Sequence, residues 1–342
     1  MMSPEYLHKI TSGEIGLTIA TIGLLGNMFS TIIWSRISNR PRNGKGDQTP
    51  ACAAYFLAMA VIDSGLLVSF IAGDSLPVFI PVLKKSFTYA WLYSYLIHPL
   101  FYFFIFSSIW IVVVVTIHRL IFVMYGKTFS FKKNIIAIIL INIVGFLPNI
   151  PQFFHFRPVF IFENNKTEGY WTYNSTDFAN SQPFIDYIFW FHCIFISLLP
   201  LILILIHNTL LLHNINKSND SVFKCISNND KGSRMKKSRK MTITILTVTT
   251  SFLVLLLWQC IAQCFWLLGY HQDDPDKTIW NMVDASYAVS RLGIIIHSSI
   301  NCPLYYVSGP IFRREVSKLF GWNKKKKTPI PIREITKNTI TC

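Results

Sequence analysis

Seven long apolar segments, separated by polar segments, are the main pattern along this chain. They cover roughly 15–34, 51–76, 91–117, 134–155, 185–211, 241–268 and 280–307, and each is long enough to cross about 30 Å of hydrocarbon as a helix. A helix satisfies its own backbone hydrogen bonds, which lipid cannot do for an open chain. The pattern therefore predicts an all-α membrane protein built as a bundle of seven transmembrane helices.

Composition and charge support this prediction and add an orientation. The 342 residues are 51% hydrophobic and only 14% charged, whereas soluble domains average about 25% charged residues. Of the 32 Lys and Arg, 25 fall in four stretches, namely 36–50, 118–133, 212–240 and the part that follows 308. Cytoplasmic loops carry the excess of Lys and Arg. We therefore expect a multi-pass plasma-membrane protein with its N-terminus outside and its C-terminus inside, and no nucleic-acid partner.

The segments outside the predicted spans complete the expected organisation. The divisions are a short extracellular N-terminus (1–14), the seven-transmembrane domain (15–308), an amphipathic membrane-surface helix (309–322) and a disordered basic cytoplasmic tail (323–342). The run Lys324–Lys327 is expected to meet anionic membrane lipids. Two glycosylation acceptor patterns begin at Asn165 and Asn174, in a predicted outer loop. We expect glycans at both.

The end of the seventh segment carries an unusual set of polar and aromatic residues. It reads Asn301-Cys302-Pro303-Leu304-Tyr305, with Phe312 seven residues after the tyrosine. This stretch resembles the seventh helix and the following short helix of rhodopsin-like (class A) G-protein-coupled receptors. In that family the motif is Asn-Pro-x-x-Tyr, so the proline here comes one position late. The details look most like invertebrate neuropeptide receptors of the FMRFamide type.

An ionisable side chain lies deep in the second apolar segment. Asp63 would cost about 3 kcal/mol in the middle of a membrane, so a role in a polar cluster is more plausible than chance. The resemblance implies a hydrated network around it, often with a bound sodium ion, which is the only cofactor expected. The implied network residues, with two neighbours one turn above Asn301, are Asn27, Asp63, Ser108, His297, Ser298 and Asn301.

The third segment ends in His118-Arg119-Leu120, where the family has Asp-Arg-Tyr. The resemblance implies that Arg119, with Lys240 at the base of the sixth helix and Tyr305, forms the coupling surface for a heterotrimeric G protein. His118 supplies no negative charge to hold Arg119, so we expect elevated ligand-free signalling. The alternative is that His118 points at lipid head groups and that other contacts hold the resting state, such as packing of Leu120 and the base of the sixth helix.

Two residues argue against an amine ligand and against bound retinal. In the resembled family, the third-helix acid that binds amines in aminergic receptors corresponds to Phe101 here, and the lysine that binds retinal in opsins corresponds to Ile295. Phe101, Tyr102 and Trp258 are expected to line an aromatic ligand cavity. An acidic outer face would suit a cationic amidated peptide, although acids in the loops could equally serve only to keep them solvated.

Two charges, Asp74 and Arg291, lie near the outer ends of the second and seventh segments. Asp74 is three turns above Asp63, and Arg291 nearly three turns above Asn301, so we expect them to face each other. They would form an ion pair within the bundle or, alternatively, anchor charged groups of a ligand. The family's outer disulfide is also missing, because Ser94 stands at the cysteine position and the loop after the fourth segment has no cysteine.

These features favour a G-protein-coupled receptor for an extracellular ligand, interpreted as a neuropeptide. Its partners would be the ligand, a heterotrimeric G protein and membrane lipids. The alternative is an invertebrate chemosensory receptor for small environmental molecules, and a more distant one is a membrane transporter. An enzyme is not expected, because no nucleophile–base set or metal-ligand spacing is evident.

Overall fold

The protein is described here by a computed structural model, which covers residues 4–40, 49–125, 130–162, 169–224, 229–270 and 278–321. Its helices confirm the predicted all-α, seven-helix fold class. Six of them are long and apolar enough to cross a membrane: α1 (Tyr6–Ser38), α2 (Cys52–Phe79), α3 (Phe87–Tyr125), α4 (Phe131–Phe154), α5 (Gln182–Asn214) and α6 (Lys240–Ala262). They are followed by α7 (Thr278–Ser308) and the short α8 (Pro310–Leu319).

Several helices extend beyond the predicted apolar segments. Helical structure begins at Pro4, well before the predicted start of the first span at residue 15. The helix that contains α5 continues to Lys224, and the one that contains α6 begins at Asn229. Hydropathy identifies only the apolar part of a helix that contacts lipid. It therefore does not predict polar extensions of this kind.

The helices pack as a bundle with α3 near its centre. Consecutive helices contact each other from α1 to α4 and from α5 to α7, and α7 returns to contact α1 and α2. α3 contacts α2, α4, α5 and α6. Residues that lie far apart in sequence, such as Asp63 and Asn301, are thereby brought to neighbouring helices.

A glycine allows α1 and α7 to approach closely. A Cβ atom added at Gly23 would lie 2.1 Å from Ser299 Oγ and 2.7 Å from its Cα, so no larger residue fits without moving α7. Ser299 uses this proximity to donate a hydrogen bond to the carbonyl of Ile19, at 3.1 Å. Small residues at helix crossings are typical of membrane bundles.

A two-stranded antiparallel hairpin connects α4 to α5. β1 (Phe156–Phe162) pairs with β2 (Gly169–Ser175), with Phe156 opposite Ser175 and Phe162 opposite Gly169. We call the end of the bundle that carries this hairpin the hairpin end, and the opposite end, where α8 follows α7, the α8 end.

Aromatic contacts join the hairpin to the start of α3. The rings of Tyr93 and Tyr173 stack with centroids 3.9 Å apart, and Tyr93 also contacts Phe156 at 5.6 Å. Phe87 meets Trp171 edge to face at 4.8 Å. The buried Ser94, which occupies the family's cysteine position, directly follows Tyr93. Aromatic packing therefore stands where a disulfide ties this loop to the third helix in the resembled family.

All four π-helical stretches in the described residues lie towards the hairpin end of their helices. They are Lys9–Ile15 in α1, Ile71–Ser75 in α2, Tyr93–Ile97 in α3 and Phe191–Leu198 in α5. π-Helical turns inside α-helices occur frequently at functional sites. These turns rotate Asp74, Tyr93 and His192 relative to an unbroken α-helix.

Candidate functional site

Asp63 is the centre of a buried hydrogen-bonded network halfway along the bundle. Its side chain is fully buried. Ser108 of α3 donates to Oδ1 at 2.7 Å, and Ser298 of α7 donates to the same oxygen at 3.3 Å. Asn301 donates through Nδ2 to Oδ2 at 2.8 Å. One carboxylate thus joins α2, α3 and α7, and the structure brings together the residues that the resemblance implied.

Asn27 and His297, the remaining residues of the predicted network, behave differently. Asn27 Nδ2 donates to the carbonyl of Ser298 at 2.8 Å, and thereby connects α1 to the network. His297 instead packs against Phe252 of α6, with ring centroids 4.6 Å apart, and neither of its nitrogens has a hydrogen-bond partner among the described residues. The structure therefore does not bring His297 to Asp63.

A narrow cavity runs from the network towards the hairpin end. Its volume is about 20 Å³, and most of its lining consists of apolar side chains of α2, α3, α5, α6 and α7. Its polar lining comes from Ser108 and Ser298, which bind Asp63, and from Gln259 and His297. Gln259 accepts a hydrogen bond from Ser290 of α7. Gln259 was not among the site residues predicted from the sequence, because a single glutamine in a span costs less than a charge and stands out less.

Asp74 and Arg291 form an ion pair nearer the hairpin end. Arg291 Nη1 donates to Asp74 Oδ1, so the structure confirms that the two charges face each other. The exposed fraction is 36% for the Arg291 side chain and 15% for that of Asp74. Tyr93 and Tyr102 lie within electrostatic reach of the pair. A charged pair of this accessibility is open to competition from a charged ligand.

Phe101 and Tyr102 occupy the level of α3 beneath the hairpin. The two rings meet edge to face at 5.8 Å, and Phe101 is buried. Tyr102 lies between two imidazoles: it stacks on His192 of α5 at 5.0 Å and meets His98 at 5.0 Å. This part of the site is aromatic, and it also contains His98 and His192, which were not among the predicted site residues.

Trp258 does not join this group. Its side chain points outward from α6 and is 41% exposed, on a surface that also carries Val254, Leu257 and Ile261. Adjacent residues of a helix point about 100° apart. At this level of α6, the residue that points into the bundle is therefore Gln259, which is buried. The predicted placement of Trp258 in the cavity wall is therefore wrong.

Arg119 is held at the α8 end of the bundle by the sixth helix. The guanidinium is nearly completely buried, and Nε donates to Thr242 Oγ1 at 2.7 Å. The ring of Phe122 lies against it, 4.8 Å from its carbon. No carboxylate is needed for this contact, because a hydroxyl can accept from a charged donor.

His118 contacts α2. Its ring meets Tyr55 edge to face, with centroids 5.5 Å apart. Leu120, two residues further on, packs with Leu211 of α5 and Leu246 of α6. The packing of Leu120 against the sixth helix agrees with the alternative interpretation, whereas His118 is buried and does not point at lipid head groups.

Further polar contacts connect the helices at this end. Thr249 of α6 donates to Asn208 Oδ1 of α5 at 2.9 Å, and Thr244 donates to the carbonyl of Ser308, the last residue of α7, at 3.1 Å. Lys240 is exposed at the base of α6.

Tyr305 is completely buried in an aromatic box. The box also contains Trp34 of α1, Phe56 of α2 and Phe312 of α8, with ring centroids 5.0 to 5.7 Å from that of Tyr305. The Tyr305 hydroxyl has no hydrogen-bond partner among the described residues. Tyr305 therefore does not present a surface for a partner in this conformation, and α8 is fixed to the bundle through it.

The structure describes one of the two predicted glycosylation positions. Asn174 is exposed in β2, at the hairpin end. Asn165 lies outside the described residues, as does the predicted tail from 323 onwards. A surface helix was predicted for 309–322, and the structure has a helix over Pro310–Leu319.

Comparison with known proteins gives one family. Residues 79–323 match the family described as serpentine type 7TM GPCR chemoreceptor Srw, which covers α3 to α8 and most of the chain. No curated protein matches the chain significantly. The match supports a GPCR-type receptor and favours the chemosensory interpretation over the neuropeptide one, and nothing in it supports the resemblance to FMRFamide receptors.

Proposed function

Because this chain belongs to the serpentine type 7TM GPCR chemoreceptor family Srw, we propose that it is a chemosensory receptor for a small molecule outside the cell. The family is one of multi-pass membrane receptors, not of enzymes, and membership implies an extracellular ligand and a G protein. The finer points proposed here concern where the ligand binds, how the signal is transmitted and which end faces outward.

The hairpin end is the proposed ligand-binding end. Its accessible ion pair, Asp74 with Arg291, lies beside the aromatic rings of Tyr93 and Tyr102. Aromatic walls with a few polar anchors are typical of small-molecule sites. A ligand with a carboxylate or an amine would compete for one member of the pair, and this part-exposed pair is the observation that carries the proposal.

Transmission would run through Asp63 to the α8 end. A ligand shifts a two-state bundle only if it binds one state more tightly, and the network is well placed because it joins α1, α2, α3 and α7. The carbonyl oxygens of the Asn27 and Asn301 side chains are buried without a partner among the described residues. With the Asp63 carboxylate they form an oxygen-rich site that suits a sodium ion, since hard cations prefer oxygen ligands.

A ligand screen tests the receptor proposal. Cells that express the full chain with a promiscuous G protein would be exposed to small charged organic molecules and, separately, to amidated peptides. We expect responses to small molecules that disappear in Arg291→Gln or Asp74→Asn at equal surface expression. Responses confined to amidated peptides would instead support the neuropeptide alternative.

Glycan mapping tests the orientation. With the hairpin end outside, Asn174 is expected to carry a glycan, whereas the acceptor patterns at Asn216 and Asn219 remain unmodified. The latter two lie in the helical extension of α5 at the other end of the bundle. A glycan found at Asn216 would reverse the orientation, and Asn174→Gln serves as the control for band shifts on a gel.

A further inference from the structure

Three side chains converge where α3, the end of α4 and the start of the hairpin meet. They are His98 of α3, Gln152 in the last turn of α4 and His155, which directly precedes β1. His98 Nε2 lies 3.2 Å from Gln152 Oε1 and 3.3 Å from His155 Nδ1, and His155 Nδ1 lies 3.3 Å from Gln152 Oε1. Two imidazole nitrogens and one amide oxygen thus form a nearly equilateral triangle.

The edges of this triangle match the spacing of ligands around a tetrahedral zinc ion. Zinc binds histidine nitrogen at about 2.0–2.1 Å in tetrahedral geometry, which places adjacent ligand atoms about 3.3–3.4 Å apart. The three measured separations of 3.2, 3.3 and 3.3 Å fall close to this value. Ordinary N–H···O hydrogen bonds are usually shorter, at about 2.9–3.0 Å.

Hydrogen bonds within the triangle depend on the tautomers of the two histidines. A neutral imidazole carries one N–H, so at most two protons are available inside the triangle, and the amide oxygen of Gln152 has lone pairs for both. Gln152 is completely buried, and its Nε2 has no partner among the described residues. A metal bound to Oε1 would not pair this Nε2, so the spacing of the three ligand atoms is the observation that carries a metal site.

We propose that His98, Gln152 and His155 form a binding site for a divalent transition-metal ion, of which Zn²⁺ is the best match. Imidazole is a preferred ligand of zinc, copper and nickel, whereas calcium and magnesium prefer sites made of oxygen alone. The three protein atoms occupy three tetrahedral positions, and water completes the fourth. Because no carboxylate belongs to the triangle, the affinity is limited by the uncompensated charge of the metal.

The position of the site gives it a structural consequence. A metal held by these residues cross-links α3 to the junction of α4 and the hairpin. His155 stacks on Phe156, the first residue of β1, at 4.2 Å, and His98 contacts both Phe156 and Tyr102. Metal binding would therefore fix the base of the hairpin beside the proposed ligand-binding end, whatever the ligand is.

Zinc titration of the purified full chain tests this proposal. The receptor, in lipid nanodiscs and without a polyhistidine tag, is titrated with ZnCl₂ against a chromophoric zinc chelator, with no receptor ligand present. We expect one zinc ion per receptor and no comparable binding of Ca²⁺ or Mg²⁺. Loss of a ligand in His155→Ala or His98→Ala should weaken binding by more than about 100-fold, beyond the effect of removing a supporting group.

A substitution of Gln152 gives the more decisive test, because the proposal predicts tighter zinc binding and not only a loss. Gln152→Glu puts a carboxylate at the same position, and we expect at least about tenfold tighter zinc binding, whereas Gln152→Leu should weaken it. The exposed His213, on α5 at the α8 end, is the matched control, and His213→Ala should leave the titration unchanged. Equal zinc affinity in the wild type, His155→Ala and Gln152→Glu would overturn the proposal.

Folding of each variant is checked separately, because an unfolded variant would also fail to bind zinc. If His155→Ala fails to fold, Gln152→Glu decides, since tighter binding cannot come from unfolding. Co²⁺ in place of zinc adds a spectroscopic test: visible absorption of a tetrahedral complex is expected in the wild type and not in the double variant of His98 and His155. The titration and the spectrum are independent of signalling, so their failure would leave the proposed receptor function untouched.

Discussion

The hairpin and the sixth helix are attached to the bundle by different kinds of contact. At the hairpin end, rings of the hairpin stack on rings of α3, as in the pair of Tyr93 and Tyr173. At the α8 end, individual hydrogen bonds join α6 to its neighbours: Arg119 to Thr242 between α3 and α6, and Thr249 to Asn208 between α6 and α5. The hairpin is thus attached through ring surfaces, and α6 through particular donor–acceptor pairs.

This difference suits two tasks. Aromatic pairs tolerate a range of offsets and angles at similar energy, so the hairpin end can adapt to a ligand by small shifts. A hydrogen bond weakens steeply as its angle bends, so helices joined by such bonds change by exchanging partners. The aromatic contacts of the hairpin would thus permit small adjustments, and the hydrogen bonds of α6 would permit a change between distinct arrangements of the helices. Both properties suit a receptor in which ligand binding changes the arrangement of the helices.

The strongest test of this comparison is Asp63, which lies between the two ends. Asp63→Ala removes the acceptor of three buried donors, and each donor left unsatisfied costs about 1–3 kcal/mol. We expect loss of surface expression and of thermal stability in detergent. Asp63→Asn retains a polar group of the same size, and it should keep expression while altering basal signalling and abolishing any sodium dependence of agonist response.

Normal surface expression of Asp63→Ala would show that the two ends of the bundle are stable without the hydrogen bonds of Asp63. Equal collapse of Asp63→Asn and Asp63→Ala would mean that the carboxylate is structural. Ser64, which donates only to a carbonyl of its own helix, is a neighbouring control, and Ser64→Ala is expected to have little effect.

The ion pair of Asp74 and Arg291 ranks next. Removing one partner of a fully buried pair costs about 3–5 kcal/mol, and the 36% exposure of the Arg291 side chain reduces this. We expect Asp74→Arg and Arg291→Asp each to lower surface expression, and the double exchange to restore it. Surface labelling of intact cells measures all three.

The pattern across those variants distinguishes pairing from ligand anchoring. Single variants that reach the surface normally but lose the response to agonist would identify the two charges as ligand anchors. Rescue of expression by the exchange, without rescue of the response, would mean that the pair serves both purposes.

Thr242 tests the switch at the α8 end. Thr242→Ala removes the acceptor of Arg119, and a hydrogen bond to a charged group contributes about 1.5–3 kcal/mol. If that bond exists only in the resting state, its loss raises ligand-free signalling by about tenfold or more, because 1.4 kcal/mol is a factor of ten. Basal reporter activity at matched expression is the measurement.

Two variants control this prediction. Thr242→Ser keeps the hydroxyl and should behave as the wild type. His118→Asp tests the original expectation that the histidine raises basal activity; since His118 packs on Tyr55 of α2, we expect a smaller change than for Thr242→Ala. A larger effect of His118→Asp would restore the expectation drawn from the sequence.

The smallest effect concerns Glu315 of α8. Burial raises the pKa of this carboxyl, but hydrogen bonds and charges from Arg40 and Lys318 outweigh burial and hold its pKa below the ordinary value. A lowered pKa in the folded state adds stability at neutral pH, which is lost as the pH falls below about 4. We expect Glu315→Gln to lower the thermal stability at pH 7 by about 1 kcal/mol or less.

At acidic pH the two proteins should converge, because the wild-type carboxyl is then protonated as well. Arg40→Gln should reproduce the loss at neutral pH, since Arg40 is the partner at the end of α1. An undiminished difference at low pH would show that packing, and not charge, is responsible.

The sequence predicted the fold and the centre of the site for identifiable physical reasons. Charges and amides inside apolar segments are so costly that Asp63, Asn301 and Arg291 stand out without any structure. Helical spacing then placed Asp74 level with Arg291, and the ion pair confirms it.

The remaining features depend on distances between helices, which a single sequence does not encode. The helix that contains Trp258 is apolar on all sides, so its inward face could not be identified. His98 and Gln152 are 54 residues apart, and neither sequence position is unusual on its own. Thr242 was missed because a threonine at the end of a span carries no cost that marks it.

The hairpin lacks a covalent tie, and this has a consequence for where the receptor can operate. A disulfide is only as durable as the redox state of its surroundings allows, whereas the contact of Tyr93 with Tyr173 exchanges no electrons. The hairpin end of the bundle would therefore keep its shape in oxidising and in reducing surroundings alike. With that end facing outward, as proposed, the response of the receptor would not depend on the redox state of the medium that carries the ligand.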